Sequence, residues 1–329
     1  MKVNRKEFLN NLTKVQPGLA SKEIIEQSTS FVFQHNHLIA YNDEIAVSLP
    51  VNYDITGAVL SKELFGLFNK LKNKEVTIEI KDNEFILKAG KLKAGVRLEQ
   101  EITIPTDFME IELNWVEIPE QLMEGLKICA FSVAKESISP LLNNIHVIDD
   151  IMESSDNWRI TRYSMGEAIF DEILIPEKAA RNIVKYDIDY FVHENGWIHF
   201  KESDSGLIFS TRTFEENYPD LSEFMEIEGT EMKLPSELIE ILDRSEVFSS
   251  DLISVSFKKG KGLIRSENEN GWVTDPFKIS NKKLNISFQV NAKILKDILR
   301  KTRNVIINEN SMKFFTNEFE HAVSLHTGE

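Results

Sequence analysis

Apolar and polar positions follow a pattern along this chain that repeats six times. In each repeat, a β-like run ends on an apolar residue that leads directly into a short amphipathic helical segment, and further β-like runs follow. The six apolar residues recur at intervals of 56 to 59 positions, and they are Val3, Leu60, Ile118, Ile175, Leu234 and Val290. A spacing this regular predicts a repeat architecture in which every repeat contributes one helix and several strands.

The strand patterns distinguish the even-numbered repeats from the odd-numbered ones. In the second repeat, residues 76–80 alternate apolar and polar side chains and lead to a turn at Asp82 and Asn83. The fourth repeat carries Asn195-Gly196 between two strand-like runs, which is a strong hairpin signal. The odd repeats have longer segments between the helix and its first strand, so we pair adjacent repeats as the halves of one domain. This pairing predicts an α+β fold with three domains at residues 1–113, 114–228 and 229–329.

Composition narrows the class of protein. The 329 residues are 42% hydrophobic and 28% charged, and no long uncharged apolar stretch interrupts them. The N-terminal residues lack the apolar region of a secretory signal. A single cysteine, Cys129, forms no disulfide within the chain, and its place on an apolar helix face indicates a core residue. We therefore expect a cytoplasmic protein that has no membrane partner.

The distribution of charge changes the interpretation of the net charge. A formal charge of −15 argues by itself against a nucleic-acid partner, because phosphate contacts need a positive field. Basic residues nevertheless recur at helical spacing in four of the six repeats, whereas the fifth helix is acidic. One such face is typical of an ordinary solvated helix, but matching faces on repeated helices favour a DNA-facing surface. The predicted DNA-facing residues are Arg5, Lys6, Lys62, Lys70, Lys178, Arg181, Lys185, Lys293, Lys296, Arg300 and Arg303.

The sequence offers little that could carry catalysis or hold a metal. Residues 259–262 (KGKG) lie between strand-like runs, where a β-turn is favoured over a phosphate-binding loop. His35 and His37 share a strand face without a third ligand nearby, and His193 and His199 are better explained by packing across a hairpin. We predict a protein that is not an enzyme and needs neither a cofactor nor a metal.

Three stretches of the chain carry a resemblance to a known family. Phe131-Ser132-Val133-Ala134 with Leu142-Asn143-Asn144 resembles the family's FS-x-A…LNG segment. Tyr218-Pro219-Asp220 resembles its FPD turn. Ile286-Ser287-Phe288-Gln289-Val290-Asn291 resembles its GFNV-S run. With the repeat pattern, these stretches resemble the bacterial-type DNA sliding clamp, the beta subunit of DNA polymerase III, in a divergent, phage-like form. The resemblance covers essentially the whole chain.

The resemblance implies an assembly and a function. Each of three tandem clamp domains would consist of two βαβββ halves, and two chains would join head to tail in a ring-shaped homodimer with sheets outside and helices lining a central hole. Such a ring is a processivity factor in DNA replication: it encircles duplex DNA without sequence preference and tethers the replicative DNA polymerase after a clamp loader has placed it. The resemblance implies a dimer interface between the first and third domains, and its candidates, which core packing would explain equally well, are Val96, Leu98, Val247 and Phe248.

The resemblance also implies an apolar cleft between the second and third domains that binds short partner peptides. Its implied lining residues are Leu142, Thr161, Met165, Pro219, Phe224, Ser311, Val323 and Leu325. The sequence departs from the family at residues 161–165, where a segment is one residue shorter and lacks an aspartate, and at the C-terminal tail. The first domain also lacks the family's R-x-x-x-P-I-L run. These departures suggest that the protein serves a polymerase of its own.

Two other classes of function stay open from the residues alone. A β-rich structural protein, such as a virion component, would pack its helices inward and would tolerate loss of the basic residues. A hydrolase or lyase would need a cleft with convergent polar groups, and a screen with and without divalent metal would reveal its activity.

Overall fold

The computed structural model describes residues 1–105, 113–135, 137, 139–248 and 252–326. Within those ranges the helices are α1 Arg5–Val15, α2 Ser61–Lys70, α3 Glu120–Cys129, α4 Glu177–Ile183, α5 Ser222–Met225, α6 Leu238–Ser245 and α7 Ala292–Leu299. Part of the segment from Pro105 to Asn114, where the predicted boundary between the first two domains falls, and the C-terminal residues 327–329 lie outside the described residues.

Strands dominate the rest of the described chain. The strands of the first half are β1 Lys2–Asn4, β2 Ser30–Gln34, β3 His37–Tyr41, β4 Ile45–Pro50, β5 Gly57–Leu60, β6 Glu75–Lys81, β7 Glu84–Ala89, β8 Leu92–Glu99, β9 Val116–Glu117, β10 Asn144–Ile148, β11 Ile151–Ser155 and β12 Arg159–Ser164. Those of the second half are β13 Ile173–Pro176, β14 Tyr190–Glu194, β15 Trp197–Glu202, β16 Leu207–Arg212, β17 Thr230–Lys233, β18 Leu252–Lys258, β19 Lys261–Asn268, β20 Gly271–Lys278, β21 Asn285–Asn291, β22 Asn304–Ile307, β23 Ser311–Phe315 and β24 Phe319–Ser324.

The predicted α+β repeat is confirmed. Val3, Leu60, Ile175 and Val290 each lie in a strand that leads directly into a helix. In the third and fifth repeats the strand ends earlier, so that Ile118 and Leu234 lie between strand and helix. The one-turn helix α5 was not predicted.

The chain divides into two compact units, residues 1–123 with 174–215 and residues 124–173 with 216–329. In the first unit, a single 12-stranded sheet has the order β1-β6-β7-β8-β5-β2-β3-β4-β16-β15-β14-β9. Its neighbouring strands are antiparallel, as in the pairing of Val47 with Phe209. The predicted three-domain boundaries stay a prediction.

A cluster of aromatic rings around Phe8 of α1 forms part of the core of this first unit. Phe8 is fully buried, and its ring centroid lies 4.4 Å from that of Phe68 and 5.0 Å from that of Tyr53. The rings of Phe33 and Phe85 lie 6.3 and 6.4 Å from it. One apolar residue of α1 thus joins strands from both repeats of the first 100 residues.

The second unit contains two antiparallel arrays. One has the strand order β10-β11-β12-β24-β23-β22-β17, and the other is a 4-stranded sheet with the order β20-β19-β18-β21. In the first array, β12 pairs with β11 on one side and with β24 on the other, which places Thr161 opposite His321. These central strands carry the candidate site described below.

Equivalent asparagines begin the first and last helices. The side chain of Asn4 accepts hydrogen bonds from the backbone amides of Lys6 and Glu7 at 2.9 and 3.3 Å. Asn291 accepts in the same way from Lys293 and Ile294, at 3.0 and 3.1 Å. Each side chain satisfies amides that have no partner within the helix, so the repeat is preserved at the level of helix capping.

Loss of the cap on α7 should destabilise the second unit measurably. We expect Asn291→Ala to lower the free energy of unfolding by about 1 kcal/mol, whereas Asn291→Ser should retain most of the stability because its hydroxyl also accepts from these amides. Urea denaturation of both variants and the wild type tests this. Equal stability of the alanine and serine variants would contradict the capping role.

Candidate functional site

A cavity of about 620 Å³ lies within the second unit. Its walls come from β12, β24, the 3-10 turn Pro140–Asn143 and the segment around α5. Five of the eight predicted cleft residues line it, namely Leu142, Pro219, Phe224, Ser311 and Val323. Residues that are more than 180 positions apart in sequence therefore meet in one cavity.

The other three predicted cleft residues do not line this cavity. Thr161, Met165 and Leu325 are buried. In β12 both Arg159 and Ile160 line the cavity, whereas Thr161 is hydrogen-bonded in the interior.

Two exposed aromatic residues mark the cavity, and only one of them was predicted. Phe224 on α5 is 64% exposed, and Trp158, immediately before β12, is 53% exposed. The prediction also missed Arg159, Ile160, Leu221 and Ile227, which complete much of the wall. A tryptophan next to a strand is equally typical of a core residue, so the sequence contained no signal for Trp158.

A buried network of hydroxyl groups and a histidine supports β12 and β24 from the interior. Ser132 donates to Thr161 Oγ1 at 2.5 Å, and Thr161 Oγ1 lies 2.7 Å from Nδ1 of His321. The hydroxyl of Thr161 therefore links Ser132 to His321. Burial, and then the positive charge of Arg159, lower the pKa of His321 to about 3.

Arg159 lines the cavity, but its charge is already engaged. Its Nε donates to Asp156 at 2.9 Å and its Nη2 donates to the carbonyl oxygen of Phe131 at 2.6 Å. The guanidinium also lies over the Phe131 ring, 5.3 Å from its centroid. The side chain of Arg159 thus braces the wall, and its charge is paired with Asp156.

A second buried cluster holds the turn that precedes α5. Glu153 accepts from His146 at 3.0 Å and from two nitrogens of Arg162 at 2.9 and 3.0 Å. Burial would raise the pKa of Glu153, but these hydrogen bonds outweigh it and keep the pKa below its usual value. The His146 ring stacks on Tyr218 at 4.6 Å. Tyr218 is followed by Pro219, so this cluster positions one wall of the cavity.

The predicted DNA-facing residues separate into two groups. Seven of them are exposed on helices or helix ends: Lys6, Lys62, Lys70, Lys178, Lys185, Lys293 and Arg300. Arg181 is paired with Glu177 on its own helix, and Arg5 and Arg303 donate to the backbone carbonyls of Phe68 and Leu234. Such groups are less available to phosphates.

Lys296, which was also predicted to face DNA, is engaged by carboxylates of the same chain. Its ammonium lies 3.1 Å from Asp243 on α6, the acidic helix of the fifth repeat, and 2.5 Å from Glu246, which directly follows α6. Only 11% of the Lys296 side chain is exposed. The hydrogen bond with Glu246, with a further contribution from Asp243, raises the pKa of Lys296. Acidic residues at the end of α6 therefore bind a cation of α7. This ion pairing explains part of the reason why the helix of the fifth repeat is acidic whereas helices of other repeats are basic.

The four candidate interface residues lie in different environments. Val96 and Leu98 are buried in the first unit, where they lie opposite Phe85 and Val59 in its sheet. This burial is what core packing would produce. Val247 is 70% exposed, and Phe248 is half-buried. Of the four, only Val247 and Phe248 have accessible surface in one chain.

The cysteine, the possible metal ligands and the helices were also candidates for other functions. Cys129 is buried, and burial raises the pKa of its thiol. Across the described ranges, no group of three or more His, Cys, Asp or Glu side chains is arranged to hold a metal ion. None of the helices in that part of the chain is both long and apolar enough to span a membrane.

Comparison with solved structures shows the same fold over the full length. The DNA polymerase sliding clamp from Bacillus subtilis matches with a TM-score of 0.77 and 17% identity, covering 100% of this chain and 99% of that chain. The DNA polymerase III beta subunit from Thermotoga maritima matches at 0.78 with 15% identity and the same coverage. The chain has the fold of a DNA sliding clamp.

A third structure with this clamp fold contains a bound molecule. The sliding clamp from Pseudomonas aeruginosa, bound to griselimycin, matches with a TM-score of 0.78 and 14% identity and covers 100% of this chain and 99% of that chain. No protein-family model and no curated protein matches the sequence. The likeness is therefore one of fold, at low sequence identity.

Proposed function

We propose that this protein is a DNA sliding clamp that acts as a processivity factor and catalyses no reaction itself. The observation that carries the proposal is the full-length match to sliding clamps at TM-scores of 0.77 and 0.78. A match confined to one repeat would have been compatible with many functions, because one fold can host several. Here the whole succession of repeats corresponds.

The exposed basic residues support a DNA partner. Lys62 and Lys70 on α2, Lys178 on α4 and Lys293 on α7 recur on helices of different repeats, in a chain with a formal charge of −15. Lysine contacts to phosphates carry no sequence information, and their strength depends on salt. Weak contacts of this kind suit a protein that must slide, and the surrounding acidic surface disfavours binding elsewhere.

The proposed assembly is a head-to-tail homodimer that encircles duplex DNA. Retention then depends on closure of the ring rather than on affinity for DNA. The partners would be a clamp loader, the replicative polymerase and other proteins that insert peptides into the 620 Å³ cleft. Of the candidate interface residues, Val247 and Phe248 would contribute to the contact between the subunits.

Two charge reversals on α7 test DNA contact. The double variant Lys293→Glu/Arg300→Glu should weaken binding to a fluorescent duplex and reduce the slope of log K against log salt by about 0.9 for each lost phosphate contact. Lys296 is left unchanged because its substitution would break the ion pairs with α6. Equilibrium anisotropy between 20 and 200 mM salt measures the slope.

The control double variant is Lys258→Glu/Lys283→Glu, which makes the same change of charge at exposed residues outside the helices. It should retain more of the salt slope than the α7 variant. Both variants should also keep the wild-type solution mass, expected at twice 37.9 kDa. An unchanged slope in the α7 variant would exclude these residues from the DNA surface.

A further inference from the structure

One wall of the cleft comes from an unusually acidic part of the chain. Between Arg212 and Lys233 the sequence has seven Asp or Glu residues and no Lys or Arg. This stretch contains α5 and supplies Pro219, Leu221, Phe224 and Ile227 to the cavity. The apolar wall and the acidic charge therefore belong to the same segment.

The charged groups of the cavity lining are unbalanced. Three lining residues are charged, namely Arg159, Glu223 and Glu226. Arg159 is compensated by Asp156, with only 12% of its side chain exposed, whereas both glutamates are exposed. The cleft thus presents an apolar floor with a negative rim, and a complementary ligand carries positive charge beside its apolar groups.

The floor of the cleft also restricts how a ligand binds. Strands β12 and β24 are each paired on both sides, β12 with β11 and β24, and β24 with β12 and β23. No ladder edge of these two strands is left to accept an added strand, so contacts to side chains must provide most of the specificity. Trp158 and Phe224 offer exposed rings for apolar side chains, and an aromatic face also attracts a cation.

We propose that the cleft binds an extended peptide in which lysine or arginine residues flank the apolar anchors. This inference rests on the proposed function, because it names the class of partner peptide for the same cleft. The apolar anchors lie against Leu142, Phe224 and Val323, and the basic flanks lie beside Glu223 and Glu226. A peptide with acidic flanks meets like charges at the rim and binds weakly.

Three fluorescein-labelled peptides test the inference against the full-length protein. They share one centre containing leucine and phenylalanine, and their flanking positions carry lysine, glutamine or glutamate. Since each exposed ion pair contributes modestly, we expect the lysine peptide to bind about tenfold more tightly than the glutamine peptide. The preference should shrink to about twofold at 0.5 M NaCl because salt screens exposed charges.

Matched variants locate the preference within the protein. Glu223→Gln/Glu226→Gln should abolish it, whereas Glu216→Gln/Glu231→Gln changes two exposed carboxylates of the same acidic stretch that do not line the cavity and should preserve it. Phe224→Ala should weaken all three peptides alike, because it removes an apolar contact and no charge.

The possible results distinguish this inference from the proposed function. Equal affinity for the three peptides, or tighter binding of the glutamate peptide, would overturn the basic-flank inference and leave the cleft as a peptide site. Absence of binding by all three would overturn the inference together with the cleft assignment. The solution mass and the salt slope of DNA binding report on the clamp function independently of both results.

Discussion

Replacement of Phe8 by alanine is expected to lower the free energy of unfolding of the first unit by about 3–5 kcal/mol. The side chain is fully buried, and its ring contacts extend from the α2 residue Phe68 to Phe33 and Phe85 on two strands. Alanine leaves a cavity between elements of both repeats, and a surrounding shell of aromatic rings collapses poorly into it. The loss therefore includes cavity formation as well as lost burial.

Hydrogen exchange monitored by mass spectrometry measures this effect within the first unit. Peptides from β6 and β7 in the Phe8→Ala variant should exchange much faster than those of the wild type, because global opening of the unit becomes more frequent. Ile24→Ala is the control, since Ile24 is 93% exposed and its truncation should change little. Wild-type protection of β6 and β7 in the Phe8→Ala variant would show that α1 does not organise this core.

Acidification from pH 6.5 towards pH 3 should destabilise the second unit through His321. The residue is fully buried, and burial together with Arg159 lowers its pKa to about 3, against 6.5 in an unfolded chain. In that window the unfolded chain binds a proton that the folded chain does not, so stability falls as pH falls. The contribution of His321 is fully present above pH 6.5 and is lost by up to about 1.4 kcal/mol per pH unit below it.

Urea midpoints between pH 7.5 and 4.5 test the role of this histidine. His321→Gln keeps hydrogen-bonding groups at the position but cannot titrate, so its stability should vary less with pH in this window, whatever its stability at pH 7.5. His326→Gln serves as the control, because His326 is only half-buried. A pH dependence of His321→Gln identical to that of the wild type would assign the acid sensitivity to other groups.

The repeat architecture could be predicted because local patterns determine it. A strand with alternating side chains and a helix with an apolar stripe are visible in any single repeat, and the constant spacing of residues such as Val3 and Leu60 then predicts their recurrence. The capping asparagines show the same local control, since Asn4 and Asn291 contact only amides two and three residues away. Features of this kind do not depend on the rest of the fold.

The cleft and the charged surface were predictable only in part, because both depend on contacts between distant segments. In β12 Arg159 and Ile160 line the cavity, whereas the predicted residue Thr161 is hydrogen-bonded to Ser132 in the interior, so this wall ends one residue before the predicted position. Lys296 looked like its neighbours in sequence, and only the packing of α6 against α7 brings Glu246 to its ammonium. The spacing of charged residues along one helix does not show ion pairs with another helix.

The pairing of β4 has a consequence for synthesis of the chain. Strand β4 has β3 on one side, while its other neighbour is β16, which follows more than 150 residues later. At 5–20 residues per second, a ribosome needs on the order of ten seconds to make the intervening chain. During that time the nascent protein carries an unpaired edge that includes Ile45 and Val47, which is the type of edge that recruits other chains. Aggregation during expression should therefore depend on translation speed between residues 50 and 207 and on chaperones that cover this edge.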